Sequence, residues 1–236
     1  MVKWVLGSVV LGLLAGSGVA VAQTSDFGDH AGFSNASSTV VSSLKIGSTT
    51  DKESSATTNA TATGDDVTGS DDEDGVTVPS SIVQGTSTSI TVNVSNSTGS
   101  TAYLNAWIDF NQNGVLTDSG EQVAINKTVA TGTSNSNRVL SFTVPAGALI
   151  GSTGVRVRLT STSGPGPTGA SGNGEVEDTL VTVNPSCDGY AISPYALGSW
   201  ELNSSVNLTL VATPTGTGYA PYTWSKSAGT FPPGLS

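Results

Sequence analysis

The sequence has little of what disulfide-bonded, catalytic or nucleic-acid-binding proteins depend on. Its one cysteine, Cys187, excludes any disulfide within the chain. Its one histidine, His30, lies in the N-terminal leader, which is expected to be flexible, so a Ser-His-Asp or Cys-His arrangement would have to be built from a loop terminus. Only 11% of residues are charged, the net charge is −10, and no basic cluster is available to hold phosphates. We therefore expect neither an enzyme nor a nucleic-acid-binding protein.

The first 22 residues are typical of a secretory signal peptide. Lys3 is followed by an apolar run that glycine and serine interrupt, and the segment ends on the small residues Ala20-Val21-Ala22. This layout predicts cleavage after Ala22. A membrane anchor is the alternative, but a spanning helix needs about 20 predominantly apolar residues. We expect an exported, extracellular or cell-surface protein with no membrane span after cleavage.

The rest of the chain divides by composition into three regions. Residues 23–75 are rich in Ser, Thr and Asp and predict a low-complexity acidic leader. Residues 76–185 contain period-two apolar segments bounded by Gly, Pro, Asn or Ser, which predict an all-β domain folded as an antiparallel β-sandwich. Residues 188–236 are again strand-like but few, and predict a second, truncated β-domain. The strands expected in the central domain are 76–78, 90–94, 104–110, 122–129, 138–144, 155–160 and 176–183.

A run of carboxylates ends the leader. Six of the ten residues from 65 to 74 are Asp or Glu, and Asp51 and Glu53 precede them. A solvated linker is one interpretation, because runs of like charge repel and stay extended. A shared cation is the other, because the run leads directly into the strand that begins at Val76.

A second acidic feature is the segment 109–121. Side-chain oxygens recur at every second position from Asp109 to Asn113, and Gly114 permits a sharp bend. Asp118 and Glu121 follow closely enough to complete an oxygen cage around calcium. The alternative is an Asx-rich turn between two strands, since Asn and Asp favour turns through local hydrogen bonds.

The third acidic feature is the sequence Gly-Glu-Val-Glu-Asp at residues 174–178. On a strand, Glu175 and Glu177 lie on one face and Asp178 on the other. A cation between the acids, an ion-pair ladder with Arg156 and Arg158, and a mixture of the two are all open interpretations. The candidate metal ligands are therefore oxygen-bearing side chains from both segments, namely Asp109, Asn111, Asn113, Asp118, Glu121, Glu175, Glu177 and Asp178.

These motifs resemble the GEVED domain of bacterial extracellular proteins. The resemblance is carried by Ala-Trp-Ile-Asp-Phe-Asn-Gln-Asn-Gly at 106–114, by Gly-Val-Arg-Val-Arg-Leu at 154–159 and by the segment 172–178. With the leader it extends over about residues 26–184. It implies a β-sandwich of secreted or surface proteins, suspected of binding calcium and without enzymatic activity. Many relatives carry Asp where this chain has Asn113 and Val115, and an aromatic residue where it has Thr179.

The C-terminal residues carry a second resemblance. Ala-Pro-Tyr-Thr-Trp-Ser at 220–225 and Phe-Pro-Pro-Gly-Leu-Ser at 231–236 are similar to a bacterial immunoglobulin-like domain of cadherin-like fold. The closing strands of that family are missing, so a fragment of a longer protein is expected.

Two functions are expected from the sequence. The first is a non-catalytic, calcium-stabilised structural or adhesive module of a multidomain surface protein, whose partners are neighbouring β-domains and an unknown protein or glycan ligand. The alternative is an accessory module of a secreted enzyme, binding carbohydrate through exposed Trp107, Trp200 or Trp224. The full reading frame would discriminate them, because repeated β-domains favour adhesion and a catalytic domain favours the accessory role.

Overall fold

The fold is taken from a computed structural model of the chain, which describes residues 24–50, 52–64 and 73–186. The predicted signal peptide, most of the acidic run and the predicted second domain lie outside the described residues. No helix in the described ranges is long and apolar enough to cross a membrane.

The described chain is built from eleven strands and contains no helix. They are β1 (Ser25–Phe27), β2 (Ala36–Thr39), β3 (Leu44–Ile46), β4 (Val76–Thr77), β5 (Ser81–Val83), β6 (Ser87–Asn96), β7 (Ala102–Ile108), β8 (Gln122–Val129), β9 (Thr133–Thr143), β10 (Gly151–Thr160) and β11 (Gly169–Asn184). The all-β class is confirmed, and each strand expected after residue 75 overlaps an observed one.

Two sheets form the sandwich. The larger has the order β1-β2-β11-β10-β7-β8, with β5 also paired to β11. The smaller has the order β3-β6-β4, with β9 also paired to β6. Alternation decides which side chains face inward: Ile90, Val92 and Val94 of β6 are fully buried, as are Val155, Val157 and Leu159 of β10. These residues belong to one continuous hydrophobic core.

The large sheet is mixed rather than antiparallel throughout. Its central pairs, β10 with β11 and β7, are antiparallel as expected. Strand β11 is long enough to take two further partners, and both β2 and β5 run parallel to it. Both partners are short and lie about 100 residues or more before β11 in the sequence. Neither has the apolar alternation that predicts a strand.

The range predicted as a low-complexity leader contributes three of the strands. Leu44 and Ile46 of β3 are fully buried in the main core, and β3 pairs with β6. Strands β1 and β2 extend the large sheet beyond β11. The composition of residues 23–75 concealed this, because these strands are three or four residues long and place only one or two side chains in the interior.

Candidate metal site

The acidic segment 109–121 is the connection between β7 and β8. Its middle is anchored by Leu116, which packs with Trp107 and Phe33 in a small second hydrophobic cluster on the outer face of the large sheet. Gly114 has φ +78°, and a Cβ there would lie 2.4 Å from the carbonyl oxygen of Gly32. A glycine is therefore required twice over, by the left-handed backbone and by the close approach of the leader.

The Asx side chains fold the connection around Asp109. One carboxylate oxygen of Asp109 accepts the Asn113 amide hydrogen at 3.1 Å, and the other accepts that of Gly114 at 2.8 Å. The side-chain oxygen of Asn113 accepts the amide hydrogen of Val115 at 2.7 Å. The Asx-turn interpretation therefore describes the backbone correctly.

Asp118 lies at the exposed rim of the loop. Its Oδ2 accepts hydrogen bonds from the side-chain amides of Asn111, at 2.7 Å, and Asn113, at 2.8 Å. These two bonds hold the pKa of the Asp118 carboxyl below its ordinary range, and the bond from Asn111 has the larger effect. Asp118 is thus ionised at neutral pH, with Asn111 and Asn113 beside it.

Glu121 is the most unusual carboxylate of the loop. It is 2% exposed, and its Oε1 accepts a long bond, 3.4 Å, from the Asn111 amide nitrogen. Its Oε2 is buried and has no hydrogen-bond partner among the residues that the structure describes. Burial raises the pKa of Glu121, the hydrogen bond from the Asn111 backbone opposes this rise, and the negative charges of Asp109 and Asp118 add to it. An ionised Glu121 is therefore costly unless a positive charge comes to it.

These residues fit a hard cation. Calcium prefers carboxylate, amide and backbone carbonyl oxygens in flexible arrangements, and Asp109, Asn111, Asn113, Asp118 and Glu121 supply such groups in thirteen residues. In the described part of the chain no three His, Cys, Asp or Glu side chains are gathered as a ready metal centre. The side-chain nitrogens of Asn111 and Asn113 now face Asp118. To bind a cation next to Asp118, both side chains would have to rotate so that their oxygens face it instead.

The register of β10 and β11 separates the other candidate ligands. Asp178 is opposite Arg156, whereas Glu177 is opposite Val157 and Glu175 is opposite Leu159. Directly opposed residues share a face of the sheet. Asp178 therefore lies on the outer face with the arginines, while both glutamates lie on the inner face with the core.

Asp178 forms the ion pair with an arginine that the sequence offered as one alternative. Arg156 Nε and Nη2 donate to the two Asp178 oxygens at 2.8 and 2.7 Å, and both side chains are fully buried. Asp178 Oδ2 also accepts the His30 amide hydrogen at 3.0 Å. Arg158 is directed to carbonyl groups, including Ser37 at 2.7 Å, and burial lowers its pKa to about 10. An Arg–Glu ladder through residues 175 and 177 is excluded by the register.

Glu175 and Glu177 instead join the two sheets. Each is 1% exposed. The backbone amide of Ile46 in β3 donates to Glu175, and that of Gly75, just before β4, donates to Glu177 at 3.2 Å. The carboxylates thus hold one edge of the small sheet, formed by β3 and β4, against β11. They are not in the same place as the loop of Asp109, so the eight candidate ligands form three groups rather than one centre.

A functional contact that the sequence did not reveal is the approach of the leader to the loop. His30 lines an open cleft of about 410 Å³ together with Asp109, Asn113 and Gly114. Burial lowers the pKa of His30, partly opposed by the charges of Asp178 and Asp109. In the sequence this packing is indicated only by two glycines, Gly114 in the loop and Gly154 in β10. At Gly154 a Cβ would lie 2.4 Å from the Phe33 ring.

Trp107 does not have the exposure that the carbohydrate-binding alternative requires. It is 2% exposed and packs with Phe33 and Leu116. A sugar ring cannot stack on a face that is covered by the protein. Trp200 and Trp224 lie outside the described residues.

Comparison with known families supports the resemblance in part. Residues 103–182 match the GEVED domain. The match spans β7 to β11 and includes both the loop of Asp109 and the segment 174–178. A search among curated proteins finds no match for the chain.

Proposed function

We propose that this protein is a non-catalytic, calcium-stabilised structural or adhesive module of a secreted or cell-surface bacterial protein. The observation that carries the proposal is the Glu121 carboxylate, which is buried beside Asp109 with one oxygen lacking a partner among the described residues. A divalent cation at this point would neutralise two acids and satisfy that oxygen. Calcium would also link the two ends of the connection between β7 and β8.

The hydrogen bonds of the loop indicate which residues would hold the ion. Asp109 and Glu121 are buried and would bind the ion from its inner side, and Asp118 would bind it from the outer rim of the loop. Asn111 and Asn113 supply neutral oxygens. With few carboxylates the site belongs with the weak calcium sites of extracellular modules, which have dissociation constants of about 10⁻⁴–10⁻³ M.

Glu175 and Glu177 are proposed as a separate, secondary cation site. They lie on one face of β11, two residues apart, and each accepts a backbone amide hydrogen next to the small sheet. Asp178 remains the weakest candidate of the eight, because Arg156 already engages both of its oxygens.

Calcium titration of the whole chain by calorimetry, after exhaustive treatment with a chelator, tests the proposal. We expect a site with a dissociation constant of about 10⁻⁴–10⁻³ M that disappears in Glu121→Gln. The matched variant Glu175→Gln/Glu177→Gln should retain that site, since its residues lie elsewhere. A titration without heat, or one that Glu121→Gln leaves unchanged, would remove calcium from this loop.

A further inference from the structure

The loop of Asp109 contains one of the two Asn-Gly pairs in the sequence. They are Asn113-Gly114 in the loop and Asn173-Gly174 in β11. Such a pair can modify itself, because the backbone nitrogen of the glycine can attack the side-chain carbonyl carbon of the asparagine, and a glycine has no side chain to hinder the close approach. Both asparagines are exposed, so exposure does not distinguish the two pairs.

A hydrogen bond holds the reacting carbonyl group of Asn113 in place. Its side-chain oxygen accepts the Val115 amide hydrogen at 2.7 Å. This bond closes an Asx turn around Gly114 and keeps the side-chain carbonyl of Asn113 next to the Gly114 nitrogen. It also places a backbone donor on the oxygen that becomes negatively charged when the carbonyl carbon is attacked, as in an oxyanion hole.

A proton acceptor lies at the attacking nitrogen. The Gly114 amide donates its hydrogen to Asp109 Oδ2 at 2.8 Å. Asp109 is 5% exposed, and its other carboxylate oxygen accepts the Asn113 amide hydrogen at 3.1 Å. A carboxylate fixed at this distance is positioned to take the proton that the nitrogen loses on attack.

The leaving group and the water needed for the reaction are at the surface. The Asn113 side-chain nitrogen donates to Asp118 at the exposed rim of the loop, at 2.8 Å. Asn113 and Gly114 both line the open cleft of about 410 Å³. Ammonia can therefore leave and water can enter without a change in the fold.

The second Asn-Gly pair lacks these contacts. Asn173 lies in β11, opposite Thr39, and its carbonyl accepts the Ser161 amide hydrogen at 2.9 Å. Among the described residues its side chain makes no hydrogen bond, and no carboxylate accepts the Gly174 amide hydrogen. An extended strand directs a side chain perpendicular to the sheet and away from the next backbone nitrogen.

We propose that Asn113 is a self-modification site, at which the loop converts a side-chain amide into a carboxylate. A bond forms between the Gly114 nitrogen and Asn113 Cγ as Asp109 accepts the proton. The bond from Cγ to the side-chain nitrogen breaks, and ammonia leaves with that proton. Water then opens the succinimide ring and produces aspartate or isoaspartate, so that one water is consumed for each ammonia released.

The modification adds a fourth carboxylate to the three that the loop already has, Asp109, Asp118 and Glu121. An aspartate at position 113 should raise the affinity for calcium, because affinity depends on the charge of the ligands. This consequence rests on the proposed function, whereas the modification itself does not.

Peptide mass spectrometry of the whole chain, aged at neutral pH in chelator, tests the modification. The folded chain is compared with the chain unfolded in urea at the same pH, and both Asn-Gly pairs are read. Asn113 should convert at least about tenfold faster in the folded chain, since a positioned proton acceptor contributes about 10²–10⁴-fold. Asn173 should convert more slowly when folded, because the strand holds its side chain away from the nitrogen.

A pair of variants at one exposed position tests the role of the turn. Val115→Pro removes the backbone donor to the Asn113 side-chain oxygen and should abolish most of the acceleration. Val115→Ala keeps the donor at the same position, which is 46% exposed, and should convert at the wild-type rate. The melting temperature and the rate at Asn173 verify that both variants fold.

Two outcomes would overturn the inference. One is an Asn113 that converts no faster in the folded chain than in urea, which would make the pair an ordinary Asn-Gly sequence. The other is a folded Val115→Pro variant that converts as fast as the wild type. Because these rates are measured in chelator, they do not depend on whether calcium binds. A calorimetric calcium titration of Asn113→Asp, which should bind more tightly than the wild type, tests the consequence separately.

Discussion

At the scale of single residues, buried polar groups hold the ends of strands in this protein. Asn96 is fully buried at the end of β6, where its side-chain nitrogen donates to the carbonyls of Ser100, at 2.9 Å, and Val129, at 2.8 Å. Its oxygen accepts the Thr98 amide hydrogen at 3.1 Å. One side chain thus closes the turn into β7 and fastens it to β8.

Asn96→Ala should lower the free energy of unfolding by about 2–4 kcal/mol. The reason is that the substitution leaves buried carbonyls without donors, each costing about 1–3 kcal/mol. Chemical denaturation measures the change. Asn93→Ala, which breaks a single exposed bond to Asn137, is the control and should cost much less; a similar loss in both would assign the effect to strand propensity.

The Arg156–Asp178 pair gives a second prediction at this scale. Arg156 has four acceptors within 2.9 Å, including the carbonyls of Ser34 and Pro167, and its guanidinium lies 5.1 Å from the Phe33 ring centroid. Asp178→Ala leaves this buried charge unpaired and should destabilise the fold by about 3–5 kcal/mol. A loss below about 1 kcal/mol, the range of exposed pairs, would contradict the burial described here.

The pH dependence of stability follows from Glu121. Its pKa is raised in the folded protein, so the folded state binds a proton more readily than the unfolded state. In chelator, the contribution of Glu121 is therefore present at acidic pH and is lost as the pH rises through its raised pKa. Glu121→Gln should remove this part of the pH profile of the unfolding free energy; an unchanged difference between acidic and neutral pH would show that Glu121 is not the titrating group.

At the scale of elements, the leader is part of the sandwich. Strand β3 inserts Leu44 and Ile46, both fully buried, and Phe33, in the connection between β1 and β2, packs against Trp107 and the Arg156 guanidinium on the outer face. A domain that began at Val76 would expose part of its core. The boundary of the folded unit therefore lies before β1.

Leu44→Ala tests the place of the leader in the fold. It should lower the free energy of unfolding by about 2–5 kcal/mol, the range for large-to-small core substitutions. The control is Lys45→Ala, at the neighbouring position whose side chain is only partly buried. If the leader were an independent extension, Leu44→Ala and Lys45→Ala would have equally small effects.

The sequence predicted elements where alternation is long enough to be read. Strand β6 is ten residues long, and its buried face follows directly from every second residue. Strand β10 is equally long, but its last eight residues are all buried, because both faces of the large sheet are covered there. Strands β1, β2, β3 and β5 have at most four residues. Strands β2, β3 and β5 depend on pairing with β11 or β6 far along the chain, and β1 in turn pairs with β2, so no local pattern contains that information.

For the candidate site, the turn and the strand faces could be predicted from the sequence, but the partners of each acid could not. The spacing of oxygens from Asp109 to Asn113 predicted an Asx-rich turn between two strands as one alternative, and the hydrogen bonds of Asp109 and Asn113 form that turn. The division between Asp178 outside and the two glutamates inside also follows from alternation. The partner of each acid depends on the register between β10 and β11 and on the position of the leader. These partners could be identified only from the structure.

At the scale of the whole molecule, the acidic features lie at different places. The loop of Asp109 is at the end from which the chain exits, whereas Glu175 and Glu177 face the small sheet beside β3 and the start of β4. Without a disulfide, a domain of this kind depends on its core and on such polar cross-links. A bound cation at the loop would stiffen the end that carries the next segment.

The measurement that tests the central claim most directly is a thermal melt of the wild type and Glu121→Gln at neutral pH, in about 10 mM calcium and in excess chelator. At this concentration, a ten- to hundredfold excess over the expected dissociation constant, calcium should stabilise the wild type by about 1.4–2.7 kcal/mol, or about 3–11 °C for a protein of this size. Glu121→Gln should melt no lower than the wild type in chelator, because it removes a buried charge, and should gain little from calcium. A wild type that melts at the same temperature in both conditions, or a variant that gains as much as the wild type, would contradict a calcium site in this loop.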